Sequence, residues 1–247
     1  MTRVEVATEL KAILVRAGVL ADLLAAAEPV ATVQAEQPGD PGFADAAGFY
    51  DWLRGDKMLG PKISSSEYAG CKALTTAMNA DGWSLAWAAY GLATPYLETA
   101  ATMQPIGEYG GNAYFKRMYD IKGARPAKAR ELGNLQPGDG VLFHGRGYVQ
   151  LTGRANYRKA GEALGLALEA QPEQALRPDV AADIMVRGMR DGWFTGKKMN
   201  DYLPADAEGT QKQFRDARRI INGLDRAEDI ADYALRFQKA LAAGGWK

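Results

Sequence analysis

The chain has 247 residues, nearly half of them hydrophobic, which suits one large domain with a substantial core rather than a disordered polymer. Thirty basic and thirty acidic side chains cancel, so no global field draws nucleic acid or an anionic membrane. Cys71 and His144 are each alone of their type, which excludes an internal disulfide, leaves a metal only carboxylate-rich sites and gives a Ser-His or Cys-His hydrolase only His144.

In chain order, residues 1–38 read first as an amphipathic helix. Leu10, Ile13, Leu14, Leu20 and Leu24 form its stripe, and a Pro- and Gly-rich linker follows. Arg16, Asp22 and Glu28 interrupt the apolar stretch, so it matches neither a signal peptide nor a spanning helix. The body is placed at 39–247. A helix ending at Gly55 comes next, then one opened by a capping box, Ser64 with Glu67, and closed by Asn79 to Gly82. Pro95 falls inside the following apolar run and predicts a kinked helix rather than a restart at Thr94. Residues 120–139 read as loop. "VLFHGRGYVQLT" reads as a hairpin about Gly-Arg-Gly, and three helical patterns close the chain. The second ends at Asn222-Gly223, and the third carries a capping box in Asp225 and Glu228.

From Gly82 to Gly107 the only charged residue is Glu98. A carboxylate among apolar side chains resists ionisation and can serve as a general acid; on the solvent face of a helix it is ordinary. Glu108 follows beyond Pro105 and Gly107, which turn the chain, and its glycine-rich flanks place it on an exposed rim. Two carboxylates in unlike settings are what glycoside hydrolysis requires. In "GYVQLTGRANY", strand alternation puts Tyr148, Gln150 and Thr152 on one face, with Asn156 a turn beyond. Such a row suits sugar hydroxyls, acetamido groups or a positioned water, although Thr152 also reads as a plain N-cap.

Three blocks, "ETAATMQPIGEYGGNAYFKRMYD", "GDGVLFHGRGYVQLTGRANY" and "RRIINGLDRAEDIADYALRFQKAL", resemble the chitinase-like glycoside hydrolase family 19. Within it they look like the endolysins of bacteriophages and prophages. The likeness spans roughly Phe43 to Leu241, with the blocks in the family's order. It implies a mainly α, lysozyme-like fold of two helical lobes with one small β-hairpin, hydrolysing β-1,4 glycosidic bonds with inversion. By position, Glu98 matches the general acid, Glu108 the general base and Thr152 the hydroxyl that holds the water. Gln150 and Asn156 match substrate-contacting amides, and Asn222 a polar residue lining the cleft. The inverting geometry implies carboxyl groups roughly 6.5–9.5 Å apart. Leu97 stands where the family has a histidine, Pro95 lies in a helix where the family pattern has no proline, and the cleft arginine of the plant enzymes corresponds to Arg226 or Arg236. The expected substrate is the peptidoglycan glycan strand, with chitin or a non-catalytic sugar-binding role as alternatives. No cofactor or metal, nucleic-acid partner or stable membrane insertion is expected. A monomer is, made in the bacterial host's cytoplasm and reaching the wall through a holin-like partner.

Overall fold

The structure, a computed structural model, describes residues 40–247. The amphipathic helix and linker expected over 1–38 lie outside them. Helix α1, Ala46–Gly55, starts where the Asp45 carboxylate accepts the Gly48 N–H. Helix α2, Ser65–Ala80, opens on the expected capping box, Ser64 and Glu67 each accepting the other's backbone N–H. Helix α3, Leu85–Glu98, is capped by Ser84 and runs through Pro95 without restarting. Proline removes one donor of the helical ladder; alongside it, the Thr94 and Thr99 hydroxyls donate to the carbonyls of Tyr90 and Pro95. From Ala88 to Pro95 every residue is buried, as expected of a helix that is apolar all round.

Past α3 come strand β1, Ile106–Gly107, then α4, Asn112–Tyr119, and α5, Pro126–Glu131. Helix α6, Asp139–Leu142, leads into strand β2, Arg146–Gly147, and α7, Arg154–Leu164. Helix α8, Pro178–Asp191, buries Val180, Ile184, Met185 and Met189 among others. Helix α9, Gln211–Ala217, continues into a 3₁₀ turn, Arg218–Ile220. Helix α10, Ala227–Ala243, lies along α3 and buries Ile230, Phe237 and Leu241. Its expected capping box is not formed: Arg226, at φ 54°, occupies the cap position and the first turn has no side-chain cap. The stretch read as loop over 120–139 contains α5.

Two apolar clusters make the core. The larger gathers α1, α2, α3 and α10 with parts of α8 and α9. The smaller holds Phe143, Leu151, Tyr157, Ala160, Leu168 and Ala175, with Val180 and Ile184 of α8. Between the carboxylate-bearing stretches runs a two-residue antiparallel ribbon, Ile106 opposite Gly147 and Gly107 opposite Arg146.

That ribbon corrects the hairpin. Strand β2 pairs with β1, and within 141–152 only the bridge between Arg146 and Leu151 closes a turn. Gly147 and Gln150 both sit at left-handed φ, 88° and 56°, so the strict alternation of an extended strand does not hold there. Tyr148 is fully buried in the larger cluster, and its hydroxyl has no partner among the described residues. It is therefore a core residue and not the surface sugar contact that alternation indicated.

Candidate active site

Glu108 directly follows β1 and extends its pairing, its N–H donating to Gly145 O at 2.8 Å. Its carboxylate is held at both oxygens. Tyr119, at the end of α4, donates to Oε1 at 2.7 Å, and the Gly145 N–H donates to Oε2 at 3.1 Å. Burial, and then the bond to Glu108, push the Tyr119 phenol well above its usual range, so it stays a donor. Buried Asn134 ties this support to α7: its amide donates to Tyr119 O at 2.9 Å and its oxygen accepts the Arg154 N–H at 2.8 Å.

Gln150 and Thr152 arrive from the other side of Gly145. The Gln150 amide donates to Ile106 O and Gly147 O, at 3.0 and 3.1 Å, which fixes its free oxygen. The Thr152 hydroxyl donates to Gln150 O at 2.8 Å. It does not cap α7, whose cap residue is Gly153 with no side-chain bond, so the N-cap reading of Thr152 is set aside. A β-carbon built on Gly145 would lie 2.8 Å from Gln150 Oε1, 3.1 Å from Thr152 Oγ1 and 3.2 Å from Glu108 Oε2. Three oxygens are thus packed against Gly145. Asn156 stands behind them, its amide donating to Thr152 O at 2.7 Å.

Glu98 ends α3 and is 26% exposed, so it is not stranded in apolar surroundings. Its Oε1 accepts from Arg218 Nη1 at 2.8 Å, an arginine only 3% exposed whose Nε donates to Asp225 O. Neither arginine singled out from sequence reaches Glu98: Arg226 pairs with Asp229, and Arg236 with Asp56. Arg218 was legible only as part of "RRIING", four residues before Asn222. The Asn222 N–H donates to Arg218 O at 2.9 Å, while its exposed side chain accepts from Gly223. Leu97, where the resembled family carries histidine, packs against the larger core.

The chain between the two carboxylates is strained. Ala100, Ala101 and Met103 hold left-handed φ of 52°, 66° and 54°, a region costly for residues with a β-carbon. Contacts on several sides impose it. The Ala101 N–H donates to Tyr96 O, the Met103 N–H to the Thr99 hydroxyl, and the Thr102 hydroxyl to Thr99 O. Met103 O lies so close to α2 that a β-carbon on Gly70 would fall 1.7 Å from it.

Among the described residues the two carboxylates share no hydrogen-bond partner. One is held by a buried guanidinium; the other is held by a phenol and a backbone amide beside two further oxygens. Among the described residues no group of three or more His, Cys, Asp or Glu side chains is placed to hold a metal ion, and no helix is long and apolar enough to cross a membrane.

Helices packed into two apolar cores, with a short ribbon beside a carboxylate, define a lysozyme-like fold. Chitinase C from Streptomyces griseus HUT6037 shares it, with a TM-score of 0.54 at 21% identity over 79% of this chain and 75% of that one. A glutamate-to-glutamine mutant of chitinase C gives 0.53 at 21% identity, covering 83% and 95%. A bacterial family 19 chitinase gives 0.45 at 19% identity, covering 81% and 96%. No family model matches the chain, and no curated protein does. At this identity the likeness shows the fold alone.

Proposed function

We propose that the chain is a glycoside hydrolase of the endolysin type, cleaving β-1,4 bonds of the peptidoglycan glycan strand with inversion. The observation that carries this reading is the convergence of Glu108 Oε2, Thr152 Oγ1 and Gln150 Oε1 beside Gly145. A water held by these oxygens, clear of the Gly145 backbone, finds acceptors for both of its protons and keeps a lone pair to face the sugar. Glu108 takes one proton as the water oxygen bonds to the anomeric carbon. Glu98 gives its proton to the bridging oxygen as the carbon–oxygen bond breaks, and the product carries the opposite anomeric configuration. Arg218 fixes the direction of Glu98 throughout.

Chitin is the second reading, supported by the likeness to chitinase C. In the endolysin reading the enzyme acts as a monomer on the wall, and a holin-like partner lets it out of the cytoplasm.

Mass spectrometry of digests of purified sacculi and of N-acetylglucosamine oligomers, with proton NMR of the fresh products for their anomeric configuration, tests this. Wild type releases new reducing ends of inverted configuration from the preferred polymer. Glu98→Gln and Glu108→Gln each lower the rate by about 10²–10⁴-fold, the usual contribution of a general acid or base. If wild type releases no reducing ends from either polymer, the hydrolase reading fails and the sugar-binding alternative replaces it.

A further inference from the structure

His144 has no role in the chemistry above, yet it immediately precedes Gly145. Its ring is fixed in two ways. It stacks on Phe115 of α4 with centroids 4.3 Å apart and planes 5° from parallel, and its Nδ1 lies 2.7 Å from Val141 O. A carbonyl can only accept, so Nδ1 carries the proton and the neutral ring's Nε2 is left with a lone pair. Its backbone is pinned too, His144 O accepting from Arg146 Nη1 and from the Tyr157 hydroxyl.

Nε2 has no partner among the described residues, and it is not a buried unsatisfied atom, so it meets solvent. Its direction can be read from Gly107, the residue before Glu108. A β-carbon there would lie 4.0 Å from Nε2 and, chain neighbours aside, within 4 Å of nothing else among the described residues. An oriented acceptor therefore borders an open space next to Glu108. Holding a ring this firmly limits what a ligand must order when it binds.

We infer that His144 is a substrate-binding residue whose Nε2 accepts a hydrogen bond from a hydroxyl or acetamido N–H of an N-acetylhexosamine unit lying over Gly107. The inference rests on the glycan-hydrolase reading and adds a contact to its cleft. Phenylalanine at 144 would keep the stack on Phe115 and remove the acceptor; glutamine can present an oxygen near the place of Nε2.

The test titrates N-acetylglucosamine hexamer into Glu98→Gln protein by calorimetry, alone and combined with His144→Phe or His144→Gln. KM and kcat are measured for the same two substitutions in the otherwise unchanged enzyme. His144→Phe weakens binding about 5–20-fold, as loss of one hydrogen bond should, and raises KM while kcat stays within about 3-fold. His144→Gln recovers most of the affinity. Equal affinity for the Phe variant and its parent overturns the inference and leaves the hydrolase reading standing, as does a Phe defect that glutamine fails to restore. If the Glu98→Gln protein binds no hexamer the inference falls, and if wild type also releases no reducing ends from sacculi or from the hexamer, the hydrolase reading falls with it.

Discussion

A β-carbon on Gly145 would meet three oxygens at 2.8 to 3.2 Å, closer than carbon and oxygen normally approach. Gly145 is not among the residues at left-handed φ, so alanine is tolerated by the backbone and objectionable only for the three oxygens it pushes away. Gly145→Ala is expected to leave the circular-dichroism spectrum unchanged and to reduce kcat by about 10²-fold, the scale of a misplaced reactant. An unaltered kcat would show that the placing of these three oxygens does not serve the reaction. Gln150 and Thr152 were legible in sequence, but for a reason that does not hold: alternation grouped them with Tyr148, which the left-handed turn sends into the core. Arg218 was legible only as part of "RRIING", not as the partner of Glu98. It stands 120 residues from Glu98, and nothing in the periodicity of either segment announces a pair so far apart.

Whole elements divide by how local their causes are. Helices α1, α2, α3 and α8 could be read because caps and apolar stripes lie within a few residues of one another. The ribbon could not, since two-residue strands pair across some forty positions and carry no period of their own. The segment from Ala100 to Met103 was opaque for another reason: left-handed alanines leave no mark in a sequence. A left-handed alanine costs about 1–2 kcal/mol, and glycine's extra freedom in the unfolded chain gives back about 0.5–1 kcal/mol of that. The double variant Ala100→Gly/Ala101→Gly is therefore expected to be about 1 kcal/mol more stable, or ~2–4 °C in calorimetric Tm for a chain of this size. If the strain serves to aim Glu98 at its partner, kcat falls in the same variant although Tm rises. A rise in Tm with kcat unchanged would make the strain incidental to catalysis.

For the molecule as a whole, the smaller core matters because it carries Thr152, and an ion network braces it. Arg154 grips Asp139 with two nitrogens and also reaches Glu169, which Arg158 holds from its other side. Bonds from Arg158 first and Arg154 second bring the Glu169 carboxyl down to about 2. Burial would raise Asp139, yet its bonds from Arg154 and from backbone N–H groups outweigh burial and leave it below its usual value. In both groups the folded value lies below the unfolded one. Their stabilisation is therefore complete above the ordinary carboxylate range, about 4, and is lost as pH falls through each lowered folded value, about 2 for Glu169. Glu169 is a third exposed, so solvent screening holds its share below ~1 kcal/mol, whereas Asp139 is almost fully buried and its loss is felt more. Melting curves from pH 7 to pH 2 should show Tm falling most steeply below about pH 4. Glu169→Gln should start about 1–3 °C lower at pH 7 and fall less steeply, because one of the two titrating carboxylates is gone. Parallel curves for wild type and variant would mean that Glu169 contributes nothing to the acid response, and that the brace beside Thr152 rests on Asp139 and Arg154 alone.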